Sequence, residues 1–147
     1  MDWQEFALRI GLAAVAGLVI GLEREVKGKS AGLRTNCLVA VGSCVFILLS
    51  LRFLGNDEVD ITRVLGQVVV GIGFIGAGTI IQRGKDVKGL TTAATTWCSA
   101  AVGCVAGFGL FEELIALSVL VLGINLGFSF IERKLMSDEE KEKESEL

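Results

Sequence analysis

Apolar residues run along the chain in five long blocks, 6–22, 37–51, 64–81, 91–110 and 114–131, parted by short stretches that hold most of the charge. The blocks are continuous rather than alternating, so they do not read as membrane-spanning strands. A helix across a hydrocarbon core takes about 20 residues, within a range of about 17 to 25, and flanking residues complete the shortest block. Helices satisfy their backbone hydrogen bonds internally, which is the condition for crossing lipid. The pattern predicts an all-α polytopic membrane protein, a bundle of about five transmembrane helices over residues 1–134, followed by a charged tail over 135–147.

Composition strengthens this reading. Of 147 residues, 52% are hydrophobic, and the mean hydropathy is +0.63, above an ordinary soluble domain. A signal peptide begins with positive charge, whereas this N-terminus carries Asp2 and Glu5, so the first block is expected to be a retained helix. Arg24, Lys27, Lys29 and Arg34 lie between the first two blocks, Arg83, Lys85 and Lys88 between the third and fourth, and Arg133 and Lys134 after the fifth. The alternate side has Arg52 and Arg63 among Asp57, Glu58 and Asp60, then Glu112 and Glu113. The positive-inside rule therefore puts the N-terminus outside and the C-terminus, with its tail SDEEKEKESEL, in the cytoplasm. That tail, which carries much of the acid behind the net charge of −3, reads as solvated or as a frayed helix.

Histidine is absent, which excludes histidine metal sites, proton relays and catalytic triads. Cys37, Cys44, Cys98 and Cys104 fall inside blocks without C-x-x-C spacing and read as small apolar filler. The 19 glycines lie within the blocks, where small residues let helix backbones approach in lipid. Gly17-x-x-x-Gly21, Gly103-x-x-x-Gly107 and Gly123-x-x-x-Gly127 are packing stripes, within one subunit or between subunits. In the third block Gly71, Gly73, Gly76 and Gly78 cover several faces, consistent with central packing or with a helix that loosens to expose ligating carbonyls. The stretches GKSAGLRTNCLVAVG and GKDVKGLTTAATTWCSAAVG echo each other, as a parallel repeat would.

The segment GLEREVKGKSAGLRTN, 21–36, ends its Gly-Lys-Ser like a phosphate-binding loop, but Glu23 stands where that loop needs a glycine and a long apolar block replaces the preceding strand. Glu23 and Glu25 lie about 200° apart on a helix, so one faces inward and the other water. Glu23 can pair with Lys27, Arg24 or Arg34, or serve as a lone carboxylate in a transient Mg2+ site completed by threonine or backbone oxygens. Thr35 or Asn36 is expected to cap the second helix and Thr91 or Thr92 the fourth. Two partly positive helix starts amid basic residues would suit a phosphate or lipid head group, or would simply fix topology. Intramembrane polar residues are Arg9, Gln67, Thr79, Thr95, Thr96 and Asn125. No nucleophile with its base is evident, so an enzyme is not expected, and neither is a nucleic-acid partner.

GLEREVKGKSAGLRTN, GIGFIGAGTI and GLTTAATTWCSAAVG, in this order, closely resemble the membrane domain of the MgtC/SapB family over most of residues 7 to 131. The resemblance covers Glu23, Arg24, Gly32, Leu33, Arg34, Thr35, Gly73, Gly76, Gly78, Gly89, Thr91, Thr92 and Trp97. It implies a multi-pass protein of the bacterial inner membrane linked to magnesium limitation. For some members it implies regulation of other machines, notably the F-type ATP synthase, rather than established magnesium transport. Longer relatives carry a soluble C-terminal domain, and this chain stops about 16 residues after the fifth block, which puts that domain's activity in doubt here. Glu23, Arg24, Arg34, Thr35, Asn36, Thr91 and Thr92 are expected to form a polar cluster at the cytoplasmic mouth. Two functions fit: a regulator of membrane partners in magnesium homeostasis, or a small oligomeric ion transporter or channel with magnesium its leading candidate. Either is expected to be a homo-oligomer, a dimer first.

Overall fold

A computed structural model describes residues 1–55 and 60–145, with side chains through residue 128. Five helices follow in order: α1 (Trp3–Val26), α2 (Leu33–Leu51), α3 (Ile61–Ala77), α4 (Leu90–Phe108) and α5 (Phe111–Ser145). By length and composition α1, α2 and Phe111–Phe128 of α5 can cross a membrane, and Ile61–Ala77 is a shorter apolar helix. The chain is an all-α membrane bundle. Asp57 and Glu58 of the acidic loop, and the side chains of the tail, lie outside the described residues.

Helix α2 sits between α1 and α4, and α3 and α5 pack from outside, mainly on α4. Glycines make this possible. A Cβ on Gly17 would lie 2.7 Å from the Asn36 carbonyl, and one on Gly21 2.7 Å from the Leu33 Cα. On the other flank a Cβ on Gly103 would strike the Ala40 carbonyl, and one on Gly107 would lie 2.8 Å from the Ile47 Cβ. Two G-x-x-x-G stripes thus grip α2 from both sides. The third does not: Gly123 and Gly127 face open space, as do Gly71 and Gly73, while Gly76 meets Ala93 at ordinary contact distance. The interior along this seam is apolar, with Ala13, Ile20, Cys44, Leu48, Val102, Ala106, Leu114 and Val121 in one cluster.

Three expectations about element ends are corrected. Helix α3 starts at Ile61, where the Asp60 side chain accepts from the Thr62 N–H, and ends at Ala77 rather than 81. The residues that extend the apolar block belong instead to an antiparallel hairpin, β1 (Ile81–Arg83) and β2 (Asp86–Lys88), pairing Ile81 with Lys88 and Arg83 with Asp86. Gly84, at φ 63°, opens its two-residue turn. Capping is also displaced. Gly32 and Gly89 are the N-caps of α2 and α4, and neither helix has a side-chain cap. Thr35, Asn36, Thr91 and Thr92 lie inside the first turns, too late to accept the free N–H groups, and the Leu33 N–H is met by Glu25 Oε2 from the preceding helix. The two echoing stretches share geometry at Gly28 and Gly84, both at φ 63°, and each supplies a capping glycine, but the caps differ in conformation, Gly32 at φ −93° and Gly89 at φ 94°.

Candidate functional site

Where α1 ends and α2 and α4 begin, the bundle holds a layer of buried polar side chains. Helix periodicity places Glu23 and Arg24 inward, both buried, and leaves Glu25 outside. Glu23 Oε1 is 2.7 Å from the Lys27 ammonium one turn on, and Oε2 is 3.8 Å from Arg24 Nη1. Lys27 also donates to the Asn125 carbonyl at 2.7 Å, tying α1 to α5. A carboxylate removed from water needs such partners, since charge in a low-dielectric interior is costly.

Arg24 is only 2% exposed, yet its guanidinium is poorly matched. Nη2 donates to Thr92 Oγ1 at 3.3 Å, and Nε has no hydrogen-bond partner among the described residues. Asn36 is fully satisfied by contrast. Its amide donates to the Ala31 and Gly32 carbonyls at 2.8 and 2.9 Å and accepts from Ser99 Oγ at 2.8 Å. Thr95 and Thr96 turn their hydroxyls back on the Thr91 and Thr92 carbonyls, and Thr95 reaches Asn125 Oδ1 at 3.4 Å. Ser99 is a buried member that sequence reasoning did not single out; its spacing from Thr92 and Thr96 along one face of α4 was the available signal.

Beside this layer a cleft of about 440 Å³ opens between the α1–α2 loop and the start of α4. Arg24, Lys29 and Lys88 supply its charge, and Ser30, Thr79, Thr91 and Thr92 line it with hydroxyls. Gly89, at φ 94°, lets the backbone pass so close to the Thr79 carbonyl that a Cβ would overlap it. That approach brings the base of the hairpin and the first turn of α4 to the same cleft.

The other expected residues are dispersed. Arg34 is exposed and makes no ion pair among the described residues, so the partner of Glu23 is Lys27. Thr35 is half-buried on α2, and Gln67 is exposed on α3. Thr79 lies just past the end of α3, its hydroxyl bonded to the Gly76 carbonyl, and Gly78 is the C-cap. Arg9 sits at the opposite end of the bundle, paired with Glu5 and donating to the Gly107 carbonyl at 2.7 Å. A cation there satisfies the last carbonyls of α4 and complements its negative end. It is a clasp between α1 and α4.

The class defined by these features is a multi-helix membrane protein with a charged layer buried at one end. The chain belongs to the MgtC family, whose model matches residues 10–134. It is 44% identical over 146 residues to the Synechocystis protein slr0014, covering 97% of this chain and 62% of the relative. It is 42% identical over 139 residues to the Escherichia coli K12 protein named "Putative magnesium transporter YhiD", covering 90% and 65%. To the protein MgtC of Salmonella typhimurium it is 43% identical over 121 residues, covering 82% and 51%. The chain thus spans between half and two thirds of the length of these relatives. No solved structure matches it.

Proposed function

We propose that this is a bacterial inner-membrane protein, N-terminus outside and C-terminus in the cytoplasm, that serves adaptation to low magnesium by regulating other membrane proteins. The relatives named MgtC and YhiD support the link to magnesium. The clustering of Arg24, Lys29 and Lys88 at one end supports the orientation. A homo-oligomer, a dimer first, is supported by Gly71, Gly73, Gly123 and Gly127 of α3 and α5, which face open space among the described residues. The F-type ATP synthase is the partner that the family resemblance suggests.

One observation carries regulation over transport. The buried carboxylate Glu23 is already neutralised by Lys27, with Arg24 next to it, so a divalent cation would meet net positive charge. Magnesium prefers oxygen ligands and sheds water reluctantly. Among the described residues no group of three His, Cys, Asp or Glu is poised to hold it. The second reading, a small oligomeric magnesium transporter, is favoured by the name that YhiD carries. Magnesium flux into proteoliposomes of the purified chain, beside Glu23→Gln and empty vesicles, separates the two. Regulation predicts flux equal to empty vesicles; saturable flux that falls in Glu23→Gln would overturn it.

A further inference from the structure

We propose that the cleft between the α1–α2 loop and α4 is a binding site for a phosphate group, carried by an anionic phospholipid or by a soluble phosphate. This is independent of whether the protein regulates or transports. Three observations converge there. The first turn of α4 points its free N–H groups out without any side-chain cap, and a helix N-terminus carries about half a positive charge. Arg24, Lys29 and Lys88 line the same space, and no carboxylate among the described residues does.

The third observation is Arg24 itself. A guanidinium has five donors, and buried donors are as a rule hydrogen-bonded. Here one donor reaches Thr92 at 3.3 Å, the nearest carboxylate oxygen is 3.8 Å from another, and Nε has no partner. An arginine buried to 2% exposure and left so poorly matched has donors to spare for a ligand. A multi-oxygen anion fits that deficit better than a single-atom one, because several oxygens can meet Arg24, the Thr91 hydroxyl and the α4 N–H groups together. At about 440 Å³ the cleft is within the usual range of about 300 to 1,000 Å³ for small-ligand sites. The neighbouring Glu23 does not cancel this charge, since Lys27 lies closer to it than Arg24 does.

The test uses the full chain, purified and stripped of lipid, in two arms. Equilibrium binding of inorganic phosphate probes the soluble source. Retention of phosphatidylglycerol against phosphatidylcholine, read by native mass spectrometry, probes the headgroup source. Binding in either arm is expected. The double variant Lys29→Gln/Lys88→Gln alters exposed residues and leaves the buried layer intact. It should weaken that binding about 25-fold, about fivefold for each charge. Lys85→Gln, at the hairpin tip outside the cleft, should leave it unchanged. Arg24→Lys, which keeps the charge but loses the fork, should weaken it at least tenfold with the helical content preserved. No binding in either arm, or equal losses from Lys85→Gln and the double variant, would overturn the proposal.

Discussion

At the end of the bundle where α1 stops and α4 begins, the buried side chains include the polar Glu23, Arg24, Asn36, Thr92, Thr96 and Ser99. Toward the end where α1 begins, the interior is Leu48, Val102, Ala106 and Leu114, with the Arg9 clasp at its margin. The difference is instructive because lipid tails are as apolar as leucine, so apolar contacts alone do little to hold helices together. Close backbone approach runs the length of α2, over Gly103 and Gly107 toward the apolar end and over Gly17 and Gly21 toward the polar one. At the polar end the helices are joined by directional bonds, Asn36 to Ser99 between α2 and α4 and Lys27 to the Asn125 carbonyl between α1 and α5. Shape acts along the whole seam, and the polar end adds a buried layer of partners.

The largest expected effect comes from the tightest approach in the seam between α2 and α4. Gly103→Leu would push a side chain into the Ala40 backbone, which cannot yield, and should cost about 3 kcal/mol or more, seen as loss of the folded species in thermal unfolding in detergent. Next is Lys27→Met, which strands the buried Glu23 carboxylate and should cost about 3 kcal/mol, whereas Glu23→Leu/Lys27→Met together should recover much of it. A double variant no more stable than Lys27→Met would show that the polar end is not organised around this pair.

Asn36→Ala should follow at about 1 to 3 kcal/mol, because Ser99 and two carbonyls lose a partner. Leu48→Met, a volume-conserving change at the apolar end, should stay below about 1.5 kcal/mol. Reversal of that order would erase the distinction between the ends. The smallest effect concerns the cap of α3. Hydrogen bonds from the Thr62 hydroxyl and N–H hold the Asp60 carboxyl below its ordinary value. A depressed carboxylate stabilises the folded state above the unfolded pKa and loses that contribution as pH falls through the folded one. Protection of the Thr62 amide, its exchange measured relative to the intrinsic rate at each pH, should therefore fall as the solution is acidified into that range, and in Asp60→Ala it should be low already at neutral pH.

Most of the architecture was legible because it follows from block length and lipid chemistry. That Glu23 and Glu25 turn opposite ways followed from helix periodicity, while the packing of α1 on α2 and α4 decides that Glu23 is the inward one. What failed was whatever depended on the facing direction or the end of a helix. The stripe Gly123-x-x-x-Gly127 has the same spacing as Gly103-x-x-x-Gly107, yet only the latter is turned toward α2, and spacing alone carries no direction. The caps were read two to four residues too late because Gly32 and Gly89 have no side chain to advertise the role. The hairpin was hidden because Ile80 and Ile81 prolong the apolar block. Its signals, Gln82 and Arg83 against Asp86 and Lys88 around Gly84-Lys85, were read only as a charged loop. Of the polar cluster, Glu23, Arg24, Asn36 and Thr92 are buried in one layer and Thr91 lines the adjoining cleft, but Arg34 points away.

The proposed regulatory role requires that the charged layer end in a closed apolar interior rather than open into a water-filled path. Cys44 tests it directly, since it is fully buried on α2 beyond Asn36 and belongs to the apolar cluster. In a chain keeping Cys44 as its sole cysteine, a charged, membrane-impermeant thiol reagent would be applied to either face of intact vesicles, with Lys29→Cys as the accessible control. The account predicts labelling of the control and none of Cys44 until the protein is denatured. Labelling of Cys44 in folded protein, from either face, would contradict it and point to an aqueous route through the bundle.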